Sequence, residues 1–270
     1  MGVNSNRLYK YRPITIHTLE CLRDNYLYFS MCIYLKKSLS KIISKIILIS
    51  LLISFCAFCD TPIKDAQSDF DKGNYIVALE KFKSLAQLGI VDAQNMVGRM
   101  YYLGQGAEQN YDSAMYWCKK AAEQGHSDAQ NNIAEFYANG LGVTKDYIKA
   151  AFWYRIASEQ GNPISQFHLG MMYLQSQGLT QDYSAAYYWF RKSAEQDNIY
   201  GQNCFGLLYY YGYGVTQNIV QAYFWLSVAA NSGSPDASKN LSLIKNEMTS
   251  EQVNQAQTLA QEWVEKHKKK

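Results

Sequence analysis

Proline occurs only four times in 270 residues, and charged side chains make up just 18% of them. These shortages exclude a collagen-like or proline-rich chain and a disordered polyampholyte. Six cysteines are too few to staple a chain of this length as a disulfide scaffold. His17, His126, His168 and His267 are scattered, with no helical pair at metal-ligand spacing, so neither a metal nor a cofactor is expected. A net charge of +3 does not by itself point to nucleic acid. What the chain does hold is apolar surface, 48% of residues, and 23 tyrosines. Its length suits one large domain or two small ones.

Charge is unevenly placed. Residues 1–59 carry eight basic side chains (Arg7, Lys10, Arg12, Arg23, Lys36, Lys37, Lys41, Lys45) against Glu20 and Asp24. Residues 60–270 therefore hold 18 basic and 21 acidic side chains, a net of −3. The 13 residues from Ile46 to Phe58 carry no charge and follow the lysines directly. A basic start, an apolar core of this length and small residues at Ala57 and Cys59 describe a secretory signal over 31–59, cleaved before Asp60. An uncleaved anchor over 42–59 is the alternative, although thirteen helical residues rise only about 20 Å against a hydrocarbon core of ~30 Å. A lipid-modified Cys59 is a third reading, weakened by Phe58 before it. Cys56-x-x-Cys59 ends the apolar core with no second ligand pair nearby, so it is not read as a redox or metal site. Met31 opens a conventional signal start, which makes 1–30 an unstructured extension or a misassigned start. The expected location is exported, periplasmic or secreted, with inner-membrane anchoring as the alternative.

A period dominates the rest. Trp117, Trp153, Trp189 and Trp225 are spaced by 36 residues, and the same shift relates Gln94, Gln130, Gln166 and Gln202. It also relates Tyr101, Tyr137, Tyr173 and Tyr209, and Gly106, Gly142, Gly178 and Gly214. Four units follow without insertion, at 92–127, 128–163, 164–199 and 200–235. Each reads as two amphipathic helices around a glycine loop. Asn110, Asp146, Asp182 and Asn218 are expected N-caps of the second helices, with Asn74 in the same role upstream. Gly125, Gly161 and Gly233 are expected to end those helices, with Asp197 in their place in the third unit. Pro163 and Pro235 fit the first turn of the next helix. Small residues at Gly98, Ala134, Gly170 and Gly206, and at Ala114, Ala150, Ala186 and Ala222, allow close helix crossings. The tryptophans and tyrosines are read as packing beside those crossings, with Trp153, in a central unit, weighing more than Trp225. Residues 62–91 form a shortened first unit, and 236–266 form C-terminal capping helices opened by a capping box at Thr249–Gln252. The fold class is therefore all-α, an α/α superhelical solenoid of helix-turn-helix repeats.

The segments DAQNNIAEFYANGLGVTKDYIKAAFWYRIASEQGN (128–162) and YGQNCFGLLYYYGYGVTQNIVQAYFWLSVAANSGS (200–234) resemble the SEL-one-like repeat, a relative of the tetratricopeptide repeat. The resemblance covers 92–235 directly and 62–263 with the degenerate ends. It implies an adaptor that binds other proteins or peptides, in a family whose bacterial members are often exported. A cysteine-rich subgroup implies a second reading, a periplasmic β-lactamase-like enzyme. A third is a membrane-tethered envelope assembly factor. The enzyme reading has little support in the residues. Ser38-x-x-Lys41 and Ser242-x-x-Lys245 match a short nucleophile motif, but no S-D-N or K-T-G follows, and beyond the leader only Cys118 and Cys204 remain. No catalytic residue is assigned.

Comparing units within the chain locates variation on the first helices. Three offsets change character from unit to unit: Met96, Asn132, His168 and Cys204; Arg99, Glu135, Met171 and Leu207; Leu103, Asn139, Gln175 and Tyr211. Steps of three and four put them on one helical face. In tetratricopeptide-like stacks that face is concave, so the expected partner-binding residues are Met96, Arg99, Asn132, Glu135, Asn139, His168, Met171, Gln175, Leu207 and Tyr211. The stripe runs from polar in the first two full units to apolar in the last two. These positions are expected to point away from the repeat interfaces.

Overall fold

A computed structural model describes residues 62–267. The leader with its signal or anchor, the extension 1–30, Cys56-x-x-Cys59, Ser38-x-x-Lys41 and the tail 268–270 lie outside the described residues. Among the described residues all regular structure is helical, and no helix is long and apolar enough to cross a membrane.

Helix α1 (62–71) pairs with α2 (Tyr75–Gln87). Four longer pairs follow: α3 (Val91–Leu103) with α4 (Tyr111–Glu123), α5 (Ser127–Asn139) with α6 (Tyr147–Glu159), α7 (Pro163–Gln175) with α8 (Tyr183–Ala194), and α9 (Ile199–Tyr211) with α10 (Ile219–Asn231). Two helices close the stack, α11 (Pro235–Lys245) and α12 (Ser250–His267). Each second helix packs on its own partner and on the first helix of the next pair.

Local chemistry sets the helix ends. The side chains of Asn110, Asp146, Asp182 and Asn218 each accept the backbone N–H three residues on, at 2.7–3.0 Å. Such a bond satisfies a first-turn donor that the helix leaves open. Asn74 departs from the expectation: its side chain makes no cap bond, because the turn before α2 is shortened. The first helices carry caps of their own at His126, Asn162, Asn198 and Ser234. Thr249 and Gln252 exchange backbone-to-side-chain bonds at 2.9 and 3.3 Å, a realised capping box. Asp197 takes the left-handed conformation (φ 62°) that glycine adopts in the other units.

The loop glycines have a tertiary reason. At Gly178 and Gly214 φ is 67° and 71°, and an added Cβ would run into the backbone carbonyls of Tyr147 and Tyr183, at the start of the second helix one unit back. The loop of one unit can therefore seat against its predecessor only without a side chain.

The repeated glutamine clamps the stack. Buried Gln94, Gln130, Gln166 and Gln202 donate through Nε2 to the carbonyls of Ala86, Ala122, Ser158 and Ala194, at 3.1–3.3 Å. Those carbonyls lie in the last turn of the preceding second helix, where intrahelical donors run out. In three units the glutamine Oε1 then receives Nε2 of Gln124, Gln160 or Gln196, at 2.7–2.8 Å. The fourth unit has Ser232 at that position, and Gln202 Oε1 is buried without a partner.

The tryptophans correct the expected order of importance. Trp117, Trp153 and Trp189 are only half-buried, whereas Trp225 is 6% exposed. The cause is α12, which packs onto α10 and sets Trp263 at 4.9 Å from Trp225 and 6.1 Å from Phe224. Phe224 is 8% exposed, while its repeat equivalents Tyr116, Phe152 and Tyr188 are 50–59% exposed.

Candidate functional site

First helices of successive units bond directly to one another. Asn132 donates to Asn95 Oδ1 (3.2 Å), the Ser165 hydroxyl to Asn131 Oδ1 (2.9 Å), and Asn240 to Asn203 Oδ1 (3.0 Å). The variable stripe lies on these first helices. Burial along each of these helices is graded. Met96, Asn132, His168 and Cys204 are half-buried, as are Glu135, Met171 and Leu207, whereas Arg99, Leu103, Asn139, Gln175 and Tyr211 are exposed. The stripe is thus not a freely solvated face pointing away from the repeat interfaces. Met171 and Leu207 pack against the C-terminal core, and Met96 against the N-terminal one.

Arg99, Asn132 and Glu135 come together around a small pocket completed by Gly98, Tyr102, Cys118 and Phe136, about 30 Å³ in volume. Asn131 donates to Glu135 Oε1 at 3.0 Å. Asn132 approaches Cys118 Sγ at 3.9 Å. His168, from α7, stands with Nε2 at 4.0 Å from Glu135 Oε1 and stacks on Tyr154, ring centres 4.9 Å apart. Burial holds the His168 imidazole down to about 4 and raises the Glu135 carboxyl, and the separation is too long for pairing to offset either. Burial, and then the nearby Glu135 charge, raise the Tyr102 and Tyr154 phenols. Cys118 is pushed up to about 12 by burial, which leaves it a packed thiol rather than a nucleophile. Cys204 is pushed up to about 12 for the same reason.

The apolar end of the stripe is an aromatic stack: Tyr211 lies on Tyr213 (5.4 Å), which lies on Tyr183 (4.6 Å). Asn139 and Gln175 sit at the exposed loop ends of α5 and α7, apart from the pocket. Sequence comparison missed Tyr102, Phe136, Tyr154 and Asn131. Phe136 and Tyr154 are buried and read as core, and Asn131 varies to Phe167 one unit on, a signal that was available.

Ser242, of the Ser242-x-x-Lys245 motif, is exposed and donates to the Ser238 carbonyl of its own helix. Among the described residues no His, Cys, Asp and Glu cluster is suited to a metal. Cys118 and Cys204 are both free.

Compared with known families, the chain matches the Sel1 repeat at residues 91–126, 127–162, 163–198 and 203–234, more than half its length. The chain belongs to the Sel1 repeat family. Its members generally act as protein-interaction scaffolds. Among solved structures it is similar to c5321, a protective antigen of uropathogenic Escherichia coli displaying an SLR fold (34% identity, TM-score 0.66, 70% of this chain and 41% of that one). It is also similar to a Sel1 repeat protein from Oxalobacter formigenes (29% identity, TM-score 0.60, 66% of this chain and 73% of that one). This Sel1 chain thus spans well under two thirds of the Escherichia coli protein's length. A search of curated proteins returned no match.

Proposed function

We propose that this Sel1 repeat protein is an exported scaffold that takes a partner protein or peptide along the inner face of its first helices. The observation that carries the reading is the graded stripe on that face. Exposed Arg99 and half-buried Asn132, Glu135 and His168 pass along the stack into apolar and aromatic groups at Met171, Leu207 and Tyr211, on an otherwise regular scaffold. Exposed aromatic and aliphatic side chains are the usual anchors of an interface, and rim charges tune approach. Export rests on the uncharged run 46–58 behind four lysines.

Because Met171 and Leu207 also pack against the core, the test uses exposed members of the stripe. The triple variant Arg99→Ala, Gln175→Ala and Tyr211→Ser should keep its helicity and lose partner capture. A photo-crosslinking residue at Gln175 should trap a partner that the same residue at Tyr116, on a second helix, does not. Capture retained by the triple variant, or adducts only at Tyr116, would move the site off the inner face. Sequencing the mature N-terminus tests export: a start at Asp60 supports it, and an intact leader supports the anchored alternative.

A further inference from the structure

We propose that the pocket at Glu135 is a primary-ammonium subsite of the inner groove, one that takes a lysine side chain of the partner. This deepens the reading of the inner face as the binding surface and rests on it. Three features of the pocket lead there.

The first is an uncompensated carboxylate. Among the described residues, Glu135 accepts one hydrogen bond, from Asn131 to Oε1, and Oε2 has no donor. Its only ion-pair neighbour within 4.0 Å is His168, whose burial favours the neutral imidazole. The titratable groups facing it are Arg99 and Tyr102 from α3, Cys118 from α4, Tyr154 from α6 and His168 from α7. Two are phenols and one a thiol, all neutral at ordinary pH. Arg99 is the sole full cation, and it is exposed and forms no ion pair with Glu135.

The second feature is the wall. Tyr102 and Phe136 line the pocket edge to face, ring centres 5.8 Å apart. Aromatic faces beside a carboxylate are the chemistry that holds an organic cation. The third is size. A volume of about 30 Å³ accommodates a water-sized group such as an ammonium. An incoming ammonium would donate to Oε2, favour the ionised carboxylate and leave its apolar stem against the rings.

The test titrates the full chain, isotope-labelled for NMR, with the blocked tripeptide acetyl-Gly-Lys-Gly-amide. Tripeptides with norleucine or arginine in the central place serve as controls. The lysine probe should shift the Gly98, Asn132 and Phe136 resonances and bind about tenfold more tightly than the norleucine probe, the scale of one charge-assisted hydrogen bond. The arginine probe should fall between them, because its charge is spread over a planar fork rather than held at one compact ammonium. Glu135→Gln keeps the acceptor for Asn131 and should abolish the preference, and Glu135→Asp should retain part of it. The preference should fade as pH drops and Glu135 takes up a proton. Equal binding of lysine and norleucine probes, a preference that survives Glu135→Gln, or shifts mapping elsewhere would each overturn the proposal. Failure here alongside capture that still depends on Arg99, Gln175 and Tyr211 would leave the scaffold reading standing. A lysine preference at Glu135 alongside crosslinks confined to Tyr116 would do the reverse.

Discussion

Replacing Ser232 by glutamine should stabilise the protein, because it completes a clamp that the fourth unit leaves open. Gln202 is fully buried, its Nε2 donates to Ala194 O at 3.3 Å, and its Oε1 has no donor. In the preceding units Gln124, Gln160 and Gln196 supply that donor at 2.7–2.8 Å. Ser232 has nearly the backbone of Gln124 (φ −85°, ψ 7° against φ −91°, ψ 6°) and is exposed, so a longer side chain meets no obstacle. Satisfying a buried acceptor regains roughly 1–3 kcal/mol. Ordering an exposed glutamine costs up to about 1.5–2 kcal/mol. The expected net gain is about 1 kcal/mol, or a rise in Tm of roughly 2–4 °C for a chain of this size. Coupling in a stacked repeat runs between neighbours, so the gain should appear as slower amide exchange in α9, α10 and α11, with α3 and α5 little changed. The control is a double-mutant cycle with Gln202→Leu, which removes the acceptor. No gain in the wild-type background, or the same gain with Gln202→Leu, would refute the clamp.

Four further outcomes follow from the packing and the buried charges. Trp225→Ala should lower stability by about 3–5 kcal/mol in a denaturant melt, and half-buried Trp153→Ala by roughly half as much; equal losses would contradict the role of α12. Gly161→Ala meets only the cost of a left-handed residue (φ 94°, no atom within 4 Å), about 1–2 kcal/mol, whereas Gly178→Ala adds a collision with the Tyr147 backbone and should be clearly worse. His168 is held down to about 4 in the folded state, so the unfolded chain binds the proton more tightly; stability should fall as pH drops from 6.5 towards 4, and His168→Gln should flatten that slope. Glu135 acts in the opposite sense: its raised folded pKa favours the protonated form, so its contribution is lost as pH rises through that pKa, and Glu135→Gln should remove the loss.

The sequence alone determined the helical class, the 36-residue period and nearly every helix end. These depend on local chemistry: Asn110, Asp146, Asp182 and Asn218 reach an N–H three residues away, and Thr249 and Gln252 do so reciprocally. Local reach is legible because chain connectivity already brings the partners together, and a repeat prints the same solution several times. Asn74 shows the limit of that logic, since its cap fails once the turn around it is shortened. The variable stripe was legible too, as positions that change while their neighbours do not.

Only the tertiary structure decided how that stripe sits and which groups meet on it. Glu135 meets His168 across two units, and Asn132 meets Asn95 at a separation of 37 residues. The glutamine clamp spans 30 residues on one side and eight on the other, so the recurrence of Gln94, Gln130, Gln166 and Gln202 was visible while its purpose was not. Trp153 and Trp225 occupy identical places in the repeat, yet α12 folds back over α10 and buries only the second. Burial, and with it the shifts at Glu135 and His168, depends on what the rest of the chain lays over a residue, which its own position in a period does not encode.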